Sequence, residues 1–291
     1  MIHVVQNPGL HQPTPWGLPA IRRLRWRTDM RDIGWVPERR VVVATGGDAE
    51  LQRALSSGFR EQGLGVEVTT DLEGMIARAF DPDVLVTCVP FDALGWSGFD
   101  ILSLIRSHEQ SRSGSSAPVV AVGRRCCPQT RARALAAGFL SCLDVGPARS
   151  VLLDETLLRV RTLRPYLHRY IHSEDRESIV ARFPDAPHER GGQQAILGLA
   201  LAMDSGGIDL LQRSLMAVYQ GNPQDARGST ARLAAIARGT GASRLAILSD
   251  AMAASLDGGM DSVERSVILS RVELDRVVHT LREEALRFFP S

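Results

Sequence analysis

Between residues 40 and 164, short apolar runs alternate with segments whose apolar positions recur every three or four residues. Val41-Val42-Val43-Ala44 is rich in β-branched residues and is ended by Thr45-Gly46-Gly47-Asp48, the pattern of a buried strand feeding a turn. Asp48 is placed to cap the amphipathic helix that follows through Phe59 and Arg60. The same reading predicts strands over 66–68, 84–89, 119–122 and 140–143. It predicts helices over 72–79, 101–107, 131–137 and 151–164, with Gly138 closing the helix before the last strand and a Ser/Gly-rich loop over 111–116. Strands and helices in strict alternation predict a parallel sheet covered on both faces.

The stretch 173–192 is polar and carries Pro184, Pro187, Gly191 and Gly192, which reads as a linker. Beyond it the strand signal ends. Apolar residues at helical spacing cover 196–203, 208–219, 225–237, 243–255 and 262–288, punctuated by Gly221-Asn222-Pro223, Gly239-Thr240-Gly241 and Asp257-Gly258-Gly259. That pattern predicts an up-and-down helical bundle over 193–291. Residues 1–39 stand apart as a flexible arm, with Pro8, Pro13, Pro15 and Pro19 followed by arginines interleaved with Trp26.

Composition narrows the chemistry. The net charge is +1, so no global attraction to nucleic acid or an anionic membrane is expected. All 34 basic residues are arginine, and without lysine there is no Schiff-base, Walker or switch lysine. Cys88, Cys126, Cys127 and Cys142 form no CxxC pair and no zinc spacing, which fits a reduced, cytoplasmic protein. No uninterrupted apolar stretch approaches the length of a membrane helix. His168 and His172 have helical ligand spacing but no third ligand nearby in sequence.

The segment 40–172 resembles the receiver domain of bacterial response regulators. The resemblance is carried by Arg40-Val41-Val42-Val43, Gly63-Leu64-Gly65-Val66-Glu67-Val68 and Asp81-Pro82-Asp83-Val84-Leu85-Val86. It continues through Pro118-Val119-Val120-Ala121-Val122 and Arg131-Ala132-Arg133-Ala134-Leu135-Ala136-Ala137-Gly138-Phe139, with a small insertion around Ala93 and Ser97. It implies a flavodoxin-like, five-stranded sheet that accepts phosphate on an aspartate after the third strand, beside a Mg²⁺-holding acidic pair, a hydroxyl residue and a lysine. Carried over position by position, the acidic pair falls within Ala44, Thr45 and Gly46, and the acceptor falls on Cys88. The hydroxyl falls on Gly123 and the lysine on Val145. Every phosphate-handling group is therefore replaced. Asp48 reads as a cap and Asp92 as a loop residue, and Cys88 reads as a buried structural thiol.

The second half resembles a histidine phosphotransfer domain. The residues that carry this are Asn222-Pro223-Gln224-Asp225-Ala226-Arg227-Gly228-Ser229-Thr230-Ala231-Arg232-Leu233, then Gly241-Ala242-Ser243-Arg244-Leu245-Ala246. The phosphorylatable histidine falls on Ala231, and the lysine and glycine that follow it fall on Ala234 and Ala235. His279 reads as a solvent-facing residue of the closing helix.

The two resemblances together imply a non-catalytic adaptor or scaffold of a two-component or phosphorelay pathway, with no metal and no cofactor. Histidine kinases, receivers and phosphotransfer proteins are the implied partners. The helix over 151–164 carries more apolar positions than one core stripe needs, so Leu153, Leu157 and Val160 are expected at a homodimer or intramolecular contact, with Arg232 and Arg244 as further interface candidates. The alternative is a nucleic-acid-associated regulator that uses the arginine-rich arm, although no helix-turn-helix pattern accompanies it. No nucleotide-binding, hydrolase or metal motif points to an enzyme.

Overall fold

The computed structural model describes residues 40–44, 48–93, 96–110, 117–124, 126–145, 149–167, 173–182 and 190–287. The arm over 1–39, Thr45, Gly46, His168 and His172 lie outside them. Among the described residues the first half holds seven strands and five helices: β1 (Arg40–Ala44), α1 (Ala49–Glu61), β2 (Gly65–Thr69), α2 (Leu72–Ala79) and β3 (Val84–Pro90). They continue with β4 (Asp92–Ala93), β5 (Trp96–Ser97), α3 (Gly98–Gln110), β6 (Val119–Gly123), α4 (Pro128–Ala137), β7 (Cys142–Asp144) and α5 (Arg149–Leu163). Five of these strands form one parallel sheet in the order β2-β1-β3-β6-β7. The small antiparallel pair β4–β5 occupies the expected insertion. This is a flavodoxin-like α/β fold.

The burial pattern explains why the short runs became strands. β3 lies at the centre of the sheet and all seven of its residues are buried, so it reads as a continuous apolar run. Val41 and Val43 pack with Leu51, Leu55 and Phe59 of α1 and with Leu153 and Leu157 of α5. Val42 and Ala44 pack with Met75 of α2 and Ile101 and Ile105 of α3. Asp48 caps α1, accepting from the amides of Glu50 at 3.1 Å and Leu51 at 3.0 Å. Gly138 ends α4 at φ 111°, a left-handed conformation that a side chain would strain.

The helical half contains α6 (Ser173–Val180), α7 (Arg190–Tyr219), α8 (Pro223–Gly239), α9 (Ser243–Ser255) and α10 (Met260–Leu286). Helices α7 to α10 pack in sequence, and α10 closes the bundle against α7. Two expectations are corrected here. The stretch 173–192 is not all linker, because it carries α6 and the first residues of α7. The helices expected over 196–203 and 208–219 are one, running straight through Gly206 and Gly207. Those glycines weaken helix propensity, but tertiary packing overrides that local preference.

Gly207 allows α7 to approach α10 closely. A Cβ there would lie 2.5 Å from Leu274 Cδ2, whereas one on Gly206 would meet nothing within 4 Å. Gly206→Ala should therefore raise stability by ~0.5–1 kcal/mol through helix propensity. Gly207→Val should lower it by ~1–3 kcal/mol, because Leu274 is fully buried and must shift. Urea unfolding of both variants checks the contrast; equal effects would contradict this packing.

Over Gly192–Tyr219, α7 is also long and apolar enough to cross a membrane by composition. In the structure its Met203, Leu211 and Leu215 are buried in the bundle, an arrangement compatible with a soluble protein.

The two halves share one apolar cluster and belong to one compact unit. Helix α4 packs against both α7 and α10. At this junction Glu264 of α10, only 2% exposed, accepts two hydrogen bonds from Arg131 of α4 at 2.6 and 2.9 Å. It accepts a third from Arg159 of α5 at 2.7 Å and a fourth from the Tyr219 hydroxyl of α7 at 2.6 Å. Burial alone would raise the Glu264 pKa. The Arg131 hydrogen bonds, Arg159 and Tyr219 outweigh it and hold the pKa at about 2.

Candidate functional site

In open α/β sheets, ligands bind beyond the carboxyl ends of the strands where the strand order reverses. Here that point lies between β1 and β3. Cys88 stands there, 0% exposed and in register with Val43 and Val120. Burial pushes its thiol pKa up to about 12, so it is neither a thiolate nor a nucleophile at ordinary pH. β3 runs on past it through Val89 and Pro90, both buried.

The surroundings of Cys88 are committed to structure. Ala44, at the end of β1, is 1% exposed. Asp48 is the nearest carboxylate after β1, and both of its oxygens are taken. Besides the two α1 amides, it accepts from Arg124 Nε at 2.7 Å and Nη2 at 2.9 Å. The Arg124 hydrogen bond, then that of the Leu51 amide, holds Asp48 well below the usual carboxylate range. Arg124 also donates to Glu50 at 2.8 Å. At Gly123, where the resemblance expects a hydroxyl, the Phe91 ring fills the space; a Cβ would lie 3.0 Å from Phe91 Cδ2. Val145, at the lysine position, packs against the core and donates its amide to the Gly123 carbonyl at 2.9 Å. The arrangement has a capped helix, an ion pair and a buried thiol where phosphate chemistry would need an open acid cluster. No group of metal-ligating side chains occurs among the described residues.

In the helical half, Ala231 lies mid-way along α8 and is exposed, as are Arg232 and Ala235. Ala234 is fully buried, so the lysine position of the phosphotransfer pattern points into the core. Ile236 of α8 and Ile247 of α9 are 40% and 51% exposed. Ala231→His should thus change stability by less than ~1 kcal/mol, the range of helix propensity alone. A thermal melt showing a larger loss would mean that the α8 face is covered.

The α5 positions expected at a homodimer or intramolecular contact pack within the chain. Leu153, Leu157 and Val160 offer no free surface: all three are buried, with Leu153 tight against Gly58 of α1. The apolar surplus of α5 is used up inside the chain, between the sheet, α1 and the junction. Arg244 is turned toward the chain itself, its amide bonded to Asp175 of α6 at 3.2 Å and its Nε 3.6 Å from Glu273. His279 is half-buried rather than solvent-facing, with Nε2 2.9 Å from Glu283. It borders a cavity of about 450 Å³ between α3, α4, α7 and α10.

Sequence reasoning missed the Glu264 cluster. A signal was present: Glu264 falls on the same stripe as Val267, Ile268 and Leu274 of α10, an acid on an apolar face. No protein-family model matches the chain, and no curated protein sequence is similar to it.

Proposed function

We propose that this protein is a non-catalytic signalling adaptor of the two-component type, working in the cytoplasm by binding histidine kinases, receivers or phosphotransfer proteins. One observation carries the reading: Cys88 is sealed at the switch point of a receiver-like sheet, while α8 still presents Ala231, Arg232, Ala235 and Ile236 to solvent. Phosphate chemistry is replaced, and a docking face is kept. The order β2-β1-β3-β6-β7 and the paired helices on each face agree with the receiver resemblance. Helix α4 is already covered by α7 and α10, and α5 is tied to α10 through Arg159, so this side is taken by the chain's own bundle. Partners are therefore placed on α8 and α9.

The experiment is affinity capture with the full chain from its native lysate, followed by identification of the bound proteins. Kinases, receivers or phosphotransfer proteins should be recovered, and an Arg232→Glu, Ile236→Asp variant should lose them while keeping its melting temperature. Recovery of DNA, or of the same partners by the variant, would contradict the reading.

A further inference from the structure

The cavity between α3, α4, α7 and α10, about 450 Å³, is of the size that holds small organic ligands. Leu102 of α3, Leu140, Ile208 of α7 and Ile268 of α10 give it an apolar wall. On its polar wall, Arg106 of α3 and Arg271, Arg276 and Arg282 of α10 meet the carboxylates of Glu109, Asp204 and Asp275. Three of these guanidiniums are well held. Arg106 donates to Glu109 and to the carbonyl oxygens of Ala117 at 3.0 Å and Gly138 at 3.1 Å. Arg276 donates to Glu273 and the Tyr166 carbonyl oxygen, and Arg282 donates to Asp204 at 2.9 Å.

Arg271 differs. Its side chain is only 9% exposed, and its Nη1 lies 2.7 Å from Asp275 Oδ1, a carboxylate that is itself 43% exposed. Asp204 is farther, at 3.8 Å, and is already engaged by Arg282. The Arg271 Nε stands at the wall near Gly138, where a Cβ would lie 3.8 Å from it, and finds no hydrogen-bond acceptor among the described residues. A buried guanidinium N–H without an acceptor is destabilising, and more so than a neutral donor. The Nε–Nη2 edge is the planar fork that matches a carboxylate bidentately.

We propose that this cavity binds a small organic anion, a carboxylate with an aliphatic body. The head sits on Arg271 and supplies the acceptor that Nε lacks, while the body lies against Leu102, Leu140, Ile208 and Ile268. The polar wall selects the sign of the head. Each guanidinium carries five N–H donors, so donors outnumber the carboxylate acceptors there and an acceptor-only head is favoured. An ammonium head would have to compete with Arg271 and Arg282 for Asp275 and Asp204. A hydroxyl head would bring no counter-charge to Arg271. Helices α3 and α4 belong to the sheet half and α7 and α10 to the bundle, so the ligand touches both halves at once.

The test titrates the full chain with octanoate, octanol and octylamine by isothermal calorimetry, below micelle-forming concentrations. Octanoate should bind one to one and about tenfold or more tighter than octanol, the difference expected of charge-assisted hydrogen bonds. Octylamine should give no saturable heat. Arg271→Met keeps the apolar stem and should abolish the preference for octanoate over octanol. Ile208→Trp fills the cavity, leaves every arginine in place and should weaken octanoate by about tenfold or more. The comparison of the three heads on the wild type decides the matter even where a variant fails to fold. Equal affinity for octanoate and octanol, saturable octylamine binding, no saturable heat with octanoate, or undiminished octanoate binding by either folded variant would overturn the proposal.

Discussion

Glu264→Gln should cost ~3–5 kcal/mol of folding stability, the range seen when one partner of a buried ion pair is removed. The carboxylate has four donors from three helices, and glutamine keeps its shape while leaving Arg131 and Arg159 without their shared counter-charge. Asp261 still pairs with Arg159 at 2.7 Å, but Asp261 is exposed and does not reach the Arg131 position. Urea unfolding with two probes, one reporting the sheet and one the helices, checks this. Both transitions should move together, because the network joins the two halves. A loss below ~1 kcal/mol would class the cluster with ordinary surface ion pairs.

The same carboxylate sets a pH signature. Its folded pKa of about 2 lies below the ordinary value of 4.5, so its contribution is fully present above about 4.5. That contribution is lost as the pH falls through about 2. Between these limits the wild type should lose stability more steeply than Glu264→Gln, since the variant no longer binds that proton on unfolding. Parallel melting curves over this range would mean that Glu264 is not held ionised.

The second large effect is expected at Cys88. Placing an aspartate there should not create a phosphate site, because the position is 0% exposed and lies between Val43 and Val120 in the sheet. An ionised carboxylate without partners is very costly to bury, and a protonated one still lacks hydrogen-bond partners. Cys88→Asp should therefore lose more than ~4 kcal/mol, enough to unfold many domains of ordinary stability. With Mg²⁺ and acetyl phosphate, neither the wild type nor the variant should gain acid-labile phosphate. A stable variant that takes up stoichiometric aspartyl phosphate would show that the site is open and that the position is misassigned as sealed.

Both cases show how far local pattern reaches. Strand β1, helix α2 and the Gly138 stop are legible in the sequence because each depends on residues within one turn or one strand of itself. Alternating strands and helices also determine the parallel sheet, since a parallel pair needs a crossover helix. The candidate site is half legible. That Cys88, Gly123 and Val145 offer no acid, hydroxyl or lysine, and that Ala231 is no histidine, is visible from residue types alone.

What fills those places is not legible. That Arg124 binds Asp48, 76 positions away in the chain, depends on two loops meeting above the sheet. That Leu153 and Leu157 face inward, and that Gly207 marks a helix contact, depends on which helix comes to lie opposite. The sequence by itself determined the kinds of elements, their order and the residue types at Cys88, Gly123, Val145 and Ala231, because these follow from local periodicity and residue identity. Only the tertiary structure decided that the helical half packs on α4 and buries Glu264 there, because periodicity tells which face of a helix is apolar but not which neighbour will cover it.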